Sequence, residues 1–209
     1  MFSPAKAAFV IEVDSDTMFA GETKTLNVTI RSVGVPDDLN FFVFDLVLTP
    51  ITPLPASSDD VRFVDPGIST EPFAATPSYV FSGNSNAAIS GNAITSTTQT
   101  SYANDTLTIT DLSGDFNDIP VLTSPTLIAQ FDLQTAMNAA TGIYEVSVID
   151  PFADDFNGTE PAMSSVSGFI EITVVPEPSS MLGLVVGILG GHLILRRRHQ
   201  QDFRMRGMT

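Results

Sequence analysis

The sequence predicts an all-β body, an antiparallel two-sheet sandwich of about eight or nine strands, followed by one C-terminal transmembrane helix. Three observations predict this architecture. Many short runs between residues 8 and 175 alternate apolar and polar residues with a period of two. Proline and glycine lie between these runs, where turns need them. The longest apolar stretch comes near the end of the chain and is followed at once by three arginines.

The candidate strands differ in their expected burial. Residues 26–30 alternate strictly and residues 9–13 do so except at Val10, which indicates one face on a core and one in solvent. Residues 41–48 are almost continuously apolar, which predicts burial on both faces. A short helical turn is expected at residues 135–140. The other candidate strands are residues 61–64, 79–81, 107–110, 127–133, 144–149 and 169–175.

Residues 83–104 are polar, contain no charged residue, and are rich in Ser, Thr, Asn and Gly. The pattern favours a polar loop or an edge strand. A hydrogen-bonding surface for sugars and a site of O-glycosylation are the alternatives.

The composition of the first 175 residues limits the chemistry of the body. They contain 22 of the 24 acidic residues and only four of the nine basic ones. An acidic body of this kind repels nucleic acid, so no nucleic-acid partner is expected. The chain has no cysteine, and its two histidines both come after residue 175. Ser–His, Cys–His and His–metal sites are therefore excluded from the body, and we expect it not to be an enzyme.

Calcium is the cofactor that the sequence best supports, because it takes six to eight oxygen ligands and the body has acidic, turn-rich loops. One candidate loop holds Asp111, Asp115 and Asp118. The stronger candidate is the next loop, and solvated loop charges are the alternative for both. The predicted ligands of that stronger site are Asp150, Asp154, Asp155, Asn157 and Glu160.

The C-terminal tail has three parts in a fixed order. Pro176, Glu177 and Pro178 predict an extended, accessible segment, because proline fixes φ and extends the residue before it. Residues 181–195 carry no formal charge, and with two preceding serines they reach the lower length limit for a membrane span, about 17 residues. A buried core helix is the alternative. The basic cluster that follows should stay cytoplasmic and leave the body outside; it consists of Arg196, Arg197 and Arg198.

This three-part tail resembles the PEP-CTERM sorting signal of bacterial surface proteins. The resemblance implies that Pro176, Glu177 and Pro178 are the motif recognised by a membrane enzyme, an exosortase. It also implies that residues 179–195 are a transient membrane anchor and that the arginines are its stop. Such signals resemble an exopolysaccharide-linked counterpart of the sortase signal, so the expected destination is the cell surface or the extracellular matrix.

The strand order of the body has a second resemblance. Ile11-Glu12-Val13, then Ala20-Gly21-Glu22-Thr23, then residues 26–30 and 41–48 are similar to the start of a cohesin-type or Ig-like sandwich. Residues 127–133, followed by Thr141-Gly142-Ile143-Tyr144, are similar to its end. Cohesins bind dockerins, so this resemblance implies a binding module with a protein ligand.

These observations predict three segments. Residues 1–7 are expected to be the remnant of a longer signal peptide, since Ala5-Lys6-Ala7 has the small-x-small form of a cleavage site. Residues 8–175 form the sandwich, and residues 176–209 form the sorting tail. The expected function is that of a structural or adhesive surface protein. The alternative is a specific binding module, either cohesin-like or calcium-dependent and specific for carbohydrate.

Overall fold

The computed structural model describes residues 8–51, 60–64, 72–98, 106–158 and 160–173. The chain divides into two compact units, Met1–Val174 and Val175–Thr209, and all the described residues belong to the first. The predicted signal-peptide remnant and the predicted sorting tail lie outside the described residues. Within them, no helix is long and apolar enough to cross a membrane.

The described residues form thirteen strands, one 3₁₀ turn (Pro72–Ala75) and one short helix, α1 (Asn86–Ser90). The strands are β1 (Ala8–Val13), β2 (Asp16–Phe19), β3 (Thr23–Ser32), β4 (Asp37–Leu39), β5 (Phe41–Pro50), β6 (Val61–Phe63), β7 (Thr95–Thr98), β8 (Thr106–Leu112), β9 (Ile119–Val121), β10 (Thr126–Thr135), β11 (Gly142–Asp154), β12 (Ala162–Val166) and β13 (Gly168–Thr173).

Two sheets form the predicted sandwich. Sheet A has five strands in the order β12-β1-β3-β10-β6, and sheet B has six in the order β2-β13-β11-β5-β8-β7. Strands β4 and β9 make a separate two-stranded ribbon. The pairing is antiparallel except at one edge of each sheet, where β12 runs parallel to β1 and β2 runs parallel to β13. The prediction of a wholly antiparallel sandwich was therefore wrong at these two edges.

The predicted number of strands was also too low. The sequence pattern missed β2, β4, β9 and β12, which have only three to five residues each. A run this short does not establish a period of two. The predicted strand at residues 79–81 was wrong, because this segment forms turns and has a single isolated bridge, Tyr79 to Leu127.

Helical structure also lies elsewhere than predicted. Residues 136–139 form a turn, with the Ala139 N–H donating to the Ala136 carbonyl at 3.1 Å, but no helix. The helix α1 lies instead in the polar segment that begins at residue 83. Ser85 caps its first turn by accepting from the Ala88 N–H at 3.0 Å, and Gly91 ends it with φ 72. The edge strand expected in the same segment is β7, whose only paired neighbour among the described strands is β8.

The core lies between sheets A and B, and β5 contributes to it with every second residue. Phe42, Phe44, Leu46 and Leu48 are buried, whereas the residues between them are half-buried. The prediction that this strand is buried on both faces was wrong, because no layer of the described structure covers the outer face of sheet B. Phe42 stacks on Phe81 with ring centroids 5.7 Å apart.

A buried carboxylate holds the segment that precedes β7 against sheet B. Asp111, on β8, is 3% exposed. It accepts hydrogen bonds from the Tyr79 hydroxyl (2.6 Å), the Ala87 N–H (3.0 Å) and the Leu112 N–H (2.8 Å). The Ala87 N–H belongs to the first turn of α1, where backbone donors have no partner within the helix. Because a buried charge is costly unless it is hydrogen-bonded, this carboxylate and its donors depend on one another.

The two buried tyrosines provide a matched test of this network. We expect Tyr79→Phe to lower the free energy of unfolding by about 1.5–3 kcal/mol, the usual range for a hydrogen bond to a charged group. Tyr144 is also buried, but its hydroxyl has no hydrogen-bond partner among the described residues. Tyr144→Phe should therefore leave stability unchanged or raise it. Urea unfolding of both variants measures the difference, and equal losses would contradict the assignment.

Candidate functional site

The outer face of sheet B is a partly apolar surface, hereafter the sheet B face. On β11, Tyr144, Val146 and Val148 point into the core, so the alternate residues Ile143 and Ile149 point outward. They are 37% and 42% exposed. The same alternation on the neighbouring strands leaves further large apolar side chains outward or at the strand ends: Phe19, Phe41, Val43, Val47, Ile51, Phe152 and Phe169.

Register sets these side chains among charged ones, since Phe169 on β13 is paired with Glu145 and Ile149 is paired with Asp45. The rings of Phe41 on β5 and Phe152 on β11 are 6.1 Å apart. At the β2 edge, the face also has a groove of about 320 Å³. It is lined by Ser15, Asp16, Thr17, Ile143, Phe169 and Glu171. Exposed aromatic and aliphatic side chains set among polar ones on one face are typical of a protein interaction site.

The outer face of sheet A is different in kind. Its outward side chains are polar and pair across the strands. Gln130 donates to Asn27 at 2.8 Å, Thr25 donates to Asp132 at 2.5 Å, and Arg31 forms an ion pair with Glu12 at 2.9 Å. A surface whose polar groups already satisfy one another offers less to a partner. The sheet B face is therefore the better candidate for a docking surface.

The first predicted calcium loop does not hold its three carboxylates together. Asp111 is buried within the fold, as described above. Asp115 is exposed and orders its own loop, accepting from Asn84 Nδ2 (2.7 Å), Ser113 Oγ (2.8 Å) and Asn117 Nδ2 (2.8 Å). These donors hold the pKa of the Asp115 carboxyl well below its usual range, with the Asn84 hydrogen bond as the largest cause. Asp118 accepts from the Phe156 N–H at 2.6 Å.

The second predicted calcium site is spread along a strand and the turn after it. Asp150 has φ 49 and lies at the irregularity in β11, and Asp154 ends that strand. Because a strand advances about 3.3 Å per residue, these two residues are on the order of 10 Å apart. Asp155 accepts from the Asn157 N–H at 2.8 Å, and Glu160 is exposed.

Within the described residues, no three acidic side chains are grouped as a metal site would require. Calcium binding stays a prediction. A rise in melting temperature with millimolar Ca²⁺ but not with Mg²⁺ is the result that would support it.

Asp154 nevertheless lies in a field of like charge. Burial, followed by the negative charges of Asp155, Glu160 and Asp118, raises the pKa of its carboxyl. Burial also raises the pKa of Asp37, on β4, with a contribution from the charge of Asp155. We call these five residues the acidic end of the sandwich.

The tail and the fold can now be compared with known proteins. Residues 174–198 match the PEP-CTERM protein-sorting motif. The chain carries a PEP-CTERM sorting signal. This confirms the resemblance predicted from Pro176, Glu177 and Pro178, and it indicates export, processing by an exosortase and sorting to the cell surface. A search of curated proteins finds no match to the sequence.

The body has a cohesin-like fold, as its strand order predicted. A Clostridium acetobutylicum cohesin solved in complex with a dockerin is 14% identical, with a TM-score of 0.53, covering 79% of this chain and 99% of that one. The OlpC cohesin of Clostridium thermocellum, also solved with a dockerin, is 11% identical, with a TM-score of 0.53 and coverage of 84% and 99%. A non-cellulosomal cohesin of the archaeon Archaeoglobus fulgidus is 8% identical, with a TM-score of 0.51 and coverage of 83% and 96%. At these identities the likeness establishes the fold alone.

The sheet B face was not predicted from the sequence, although the sequence contains a signal for it. The almost continuous apolar run at residues 41–48 places Phe41, Val43 and Val47 on the outward side of β5. The same run is expected of a strand covered on both sides and of a strand with one apolar face left open for a partner. Only the arrangement of the layers separates these two cases.

The acidic end gives a prediction about the pH dependence of stability. A raised pKa means that the fold disfavours the ionised form of Asp154, so stability falls as pH rises from the ordinary carboxyl pKa of 3.8 through the folded pKa. We expect Asp154→Asn to raise the free energy of unfolding at pH 7 by about 0.5 kcal/mol, the scale of surface substitutions. The gain should disappear below about pH 3.8.

Asp115→Asn is the control of opposite sign. The pKa of Asp115 is lowered, so its ionised form stabilises the fold above its unfolded pKa, and that contribution is lost as pH falls. This variant should be less stable than the parent at pH 7. Urea unfolding at pH 3.5 and pH 7 measures both variants, and a stabilising Asp115→Asn or a destabilising Asp154→Asn would contradict the electrostatic account.

Proposed function

We propose that this protein is a non-enzymatic surface protein that an exosortase processes on the outer side of the membrane and whose sandwich binds a protein partner through the sheet B face. The PEP-CTERM match carries the sorting part of the proposal. The contrast between the partly apolar sheet B face and the self-paired polar face of sheet A supports the binding part.

The order of the tail supports a transient membrane stage. The apolar residues 179–195 would hold the chain in the bilayer, and Arg196, Arg197 and Arg198 would stay on the cytoplasmic side. The Pro176-Glu177-Pro178 segment would then lie just outside the bilayer, within reach of a membrane-bound enzyme. Release into an extracellular polysaccharide matrix is the destination that we propose after processing.

The composition of the body supports a binding role over a catalytic one. The body lacks histidine and cysteine, so the usual nucleophile–base pairs cannot form there. Two of the cohesins named above were solved in complex with a dockerin, which is a protein partner. By analogy of fold we propose a protein ligand for this chain as well. A calcium-dependent carbohydrate-binding module remains the alternative, supported by the acidic loops.

The sorting proposal is tested by replacing the central glutamate of the motif. In the native host, which supplies the processing enzyme, Glu177→Ala should impair processing and leave the sandwich intact, because residue 177 comes after the last described strand. Mass spectrometry of the C-terminal peptide of the mature protein measures the outcome. Glu171→Ala, an exposed glutamate on β13, is the matched control and should be processed normally.

Deletion of residues 179–209 should release an unprocessed soluble body, because it removes the segment that would hold the chain at the membrane. A mature parent protein that still ends at Thr209 would contradict processing and would leave a simply anchored protein.

The binding proposal is tested by placing charge on the apolar face. We expect Ile143→Glu combined with Phe169→Glu to abolish capture of the extracellular protein partner from the host, since a desolvated charge opposes docking. Thr25→Glu combined with Gln130→Glu, on the outer face of sheet A, is the matched control and should keep it. Equal capture by both double variants would contradict docking through sheet B, and binding of the parent to a glycan array without any protein partner would favour the carbohydrate alternative.

A further inference from the structure

At one end of the sandwich, two exposed phenylalanines line a groove of about 380 Å³. Phe116, in the connection after β8, is 56% exposed, and Phe156, in the connection after β11, is 65% exposed. The remaining lining residues are Asp115, Asn117 and Asp118. The volume lies within the range of small-ligand sites, roughly 300–1,000 Å³.

The groove is held in shape by contacts that join its two loops. The Phe156 N–H donates to Asp118 Oδ1 at 2.6 Å, which ties the connection after β11 to the connection after β8. On the other side, the Phe116 N–H donates to the Ser113 carbonyl at 3.1 Å. Asp115 orders the same loop through Asn84 and Asn117, as described above. Phenylalanines on loops fixed in this way lose little conformational freedom on binding a ligand.

The charge around the groove has one sign. Asp115 and Asp118 line it, and Asp118 lies close enough to Asp154 for their carboxylates to repel each other. Asp155 and Glu160 repel the Asp154 carboxylate as well. Of the described residues, only Lys24, Arg31 and Arg62 are basic, and each has its partner elsewhere: Asp16, Glu12 and Gln134 respectively. Within the described structure no cation of the chain itself neutralises the groove.

We propose that this groove binds an arginine side chain of a partner polypeptide. Aromatic ring faces attract a guanidinium, which is planar and weakly hydrated and pairs with carboxylates through several donors. In the described structure Asp118 Oδ1 is occupied by the Phe156 N–H, and no hydrogen bond to Oδ2 is found, so that oxygen can accept from the guanidinium. Two rings and a carboxylate in one groove match an arginine better than they match a hydrated ammonium or a neutral apolar side chain.

This proposal is independent of the sheet B face. The groove is formed by connections after β8 and β11, and none of its lining residues belongs to the groove at the β2 edge. Variants of either site can therefore be tested without altering the other.

The test measures binding of a fluorescent hexapeptide of alternating glycine and arginine, blocked at both ends, to the full chain. The same peptide with citrulline in place of arginine keeps the shape and loses the charge. We expect binding of the arginine peptide in low salt, weakening as ionic strength rises, and no binding of the citrulline peptide.

The variants are chosen so that the fold survives. Phe116 has φ 59, a left-handed conformation that suits glycine, so Phe116→Gly removes the ring without new strain. Phe116→Gly and Phe156→Ala should each weaken binding about two- to fivefold, the usual range of an exposed cation–π contact. Asp118→Asn keeps an acceptor for the Phe156 N–H and should weaken binding roughly two- to fivefold through lost charge. Phe169→Ala, on the sheet B face, is the control and should bind as the parent does.

Three results would overturn the proposal. Equal affinities of the citrulline and arginine peptides would show that the charge of the guanidinium does not contribute to binding. Unchanged affinity of the arginine peptide for the Phe116→Gly/Phe156→Ala double variant, with its melting temperature retained, would show that the peptide binds by unspecific attraction to an acidic protein and not through the two rings. A melting temperature raised by millimolar CaCl₂, with no binding of the arginine peptide, would assign the acidic end to a metal ion instead.

Discussion

The position of β5 inside sheet B is the constraint on which the rest of the structure depends. This strand pairs with β11 on one side and β8 on the other, so its backbone is fixed along most of its length. Because side chains alternate on a strand, Phe42, Phe44 and Leu46 must point into the core, and the residues between them must point out. A shift of one residue would exchange the two faces. The same register therefore determines both the core and the apolar outer surface.

The acidic residues of the body serve at least three different physical purposes. Asp111 is buried and fastens Tyr79 and the first turn of α1 to β8. Asp115 is exposed and shapes its own loop through the amide of Asn84. Asp154 contributes unfavourable like charge at the acidic end. A strongly negative composition is thus compatible with a stable fold, because the carboxylates that repel one another lie in connecting loops and at strand ends rather than in the core.

The body and the tail divide the work of the protein. The tail carries the PEP-CTERM signal and with it the information for export and sorting, whereas the cohesin-like body supplies surfaces that a partner can contact. The two candidate surfaces differ in chemistry. The sheet B face is broad and only partly apolar, while the groove between Phe116 and Phe156 is small, aromatic and acidic. A protein with both could hold one partner through its face and select among partners by a single cationic side chain.

The sequence alone determined the features that depend on neighbouring residues. The period of two predicted the long strands and therefore the sandwich, since alternation over six or more residues is a local property. The tail could be recognised for the same reason, because its motif, apolar run and arginines follow one another along the chain.

Tertiary structure decided whatever depends on residues far apart in the sequence. Asp111 and Asp118 belong to one acidic stretch of sequence but have different roles. Asp111 is buried and accepts from the Tyr79 hydroxyl, because β8 faces the core. Asp118 accepts from the Phe156 N–H, because it lies in the loop after β8. The short strands β2, β7 and β12 each pair with a longer strand at a sheet edge, whereas β4 and β9 pair with each other although they are far apart in the sequence. None of these contacts is visible in a run of three to five residues. The outward residues of β5 became a surface because no third layer of the described structure covers them, and layers are set by how sheets pack rather than by any single run of sequence.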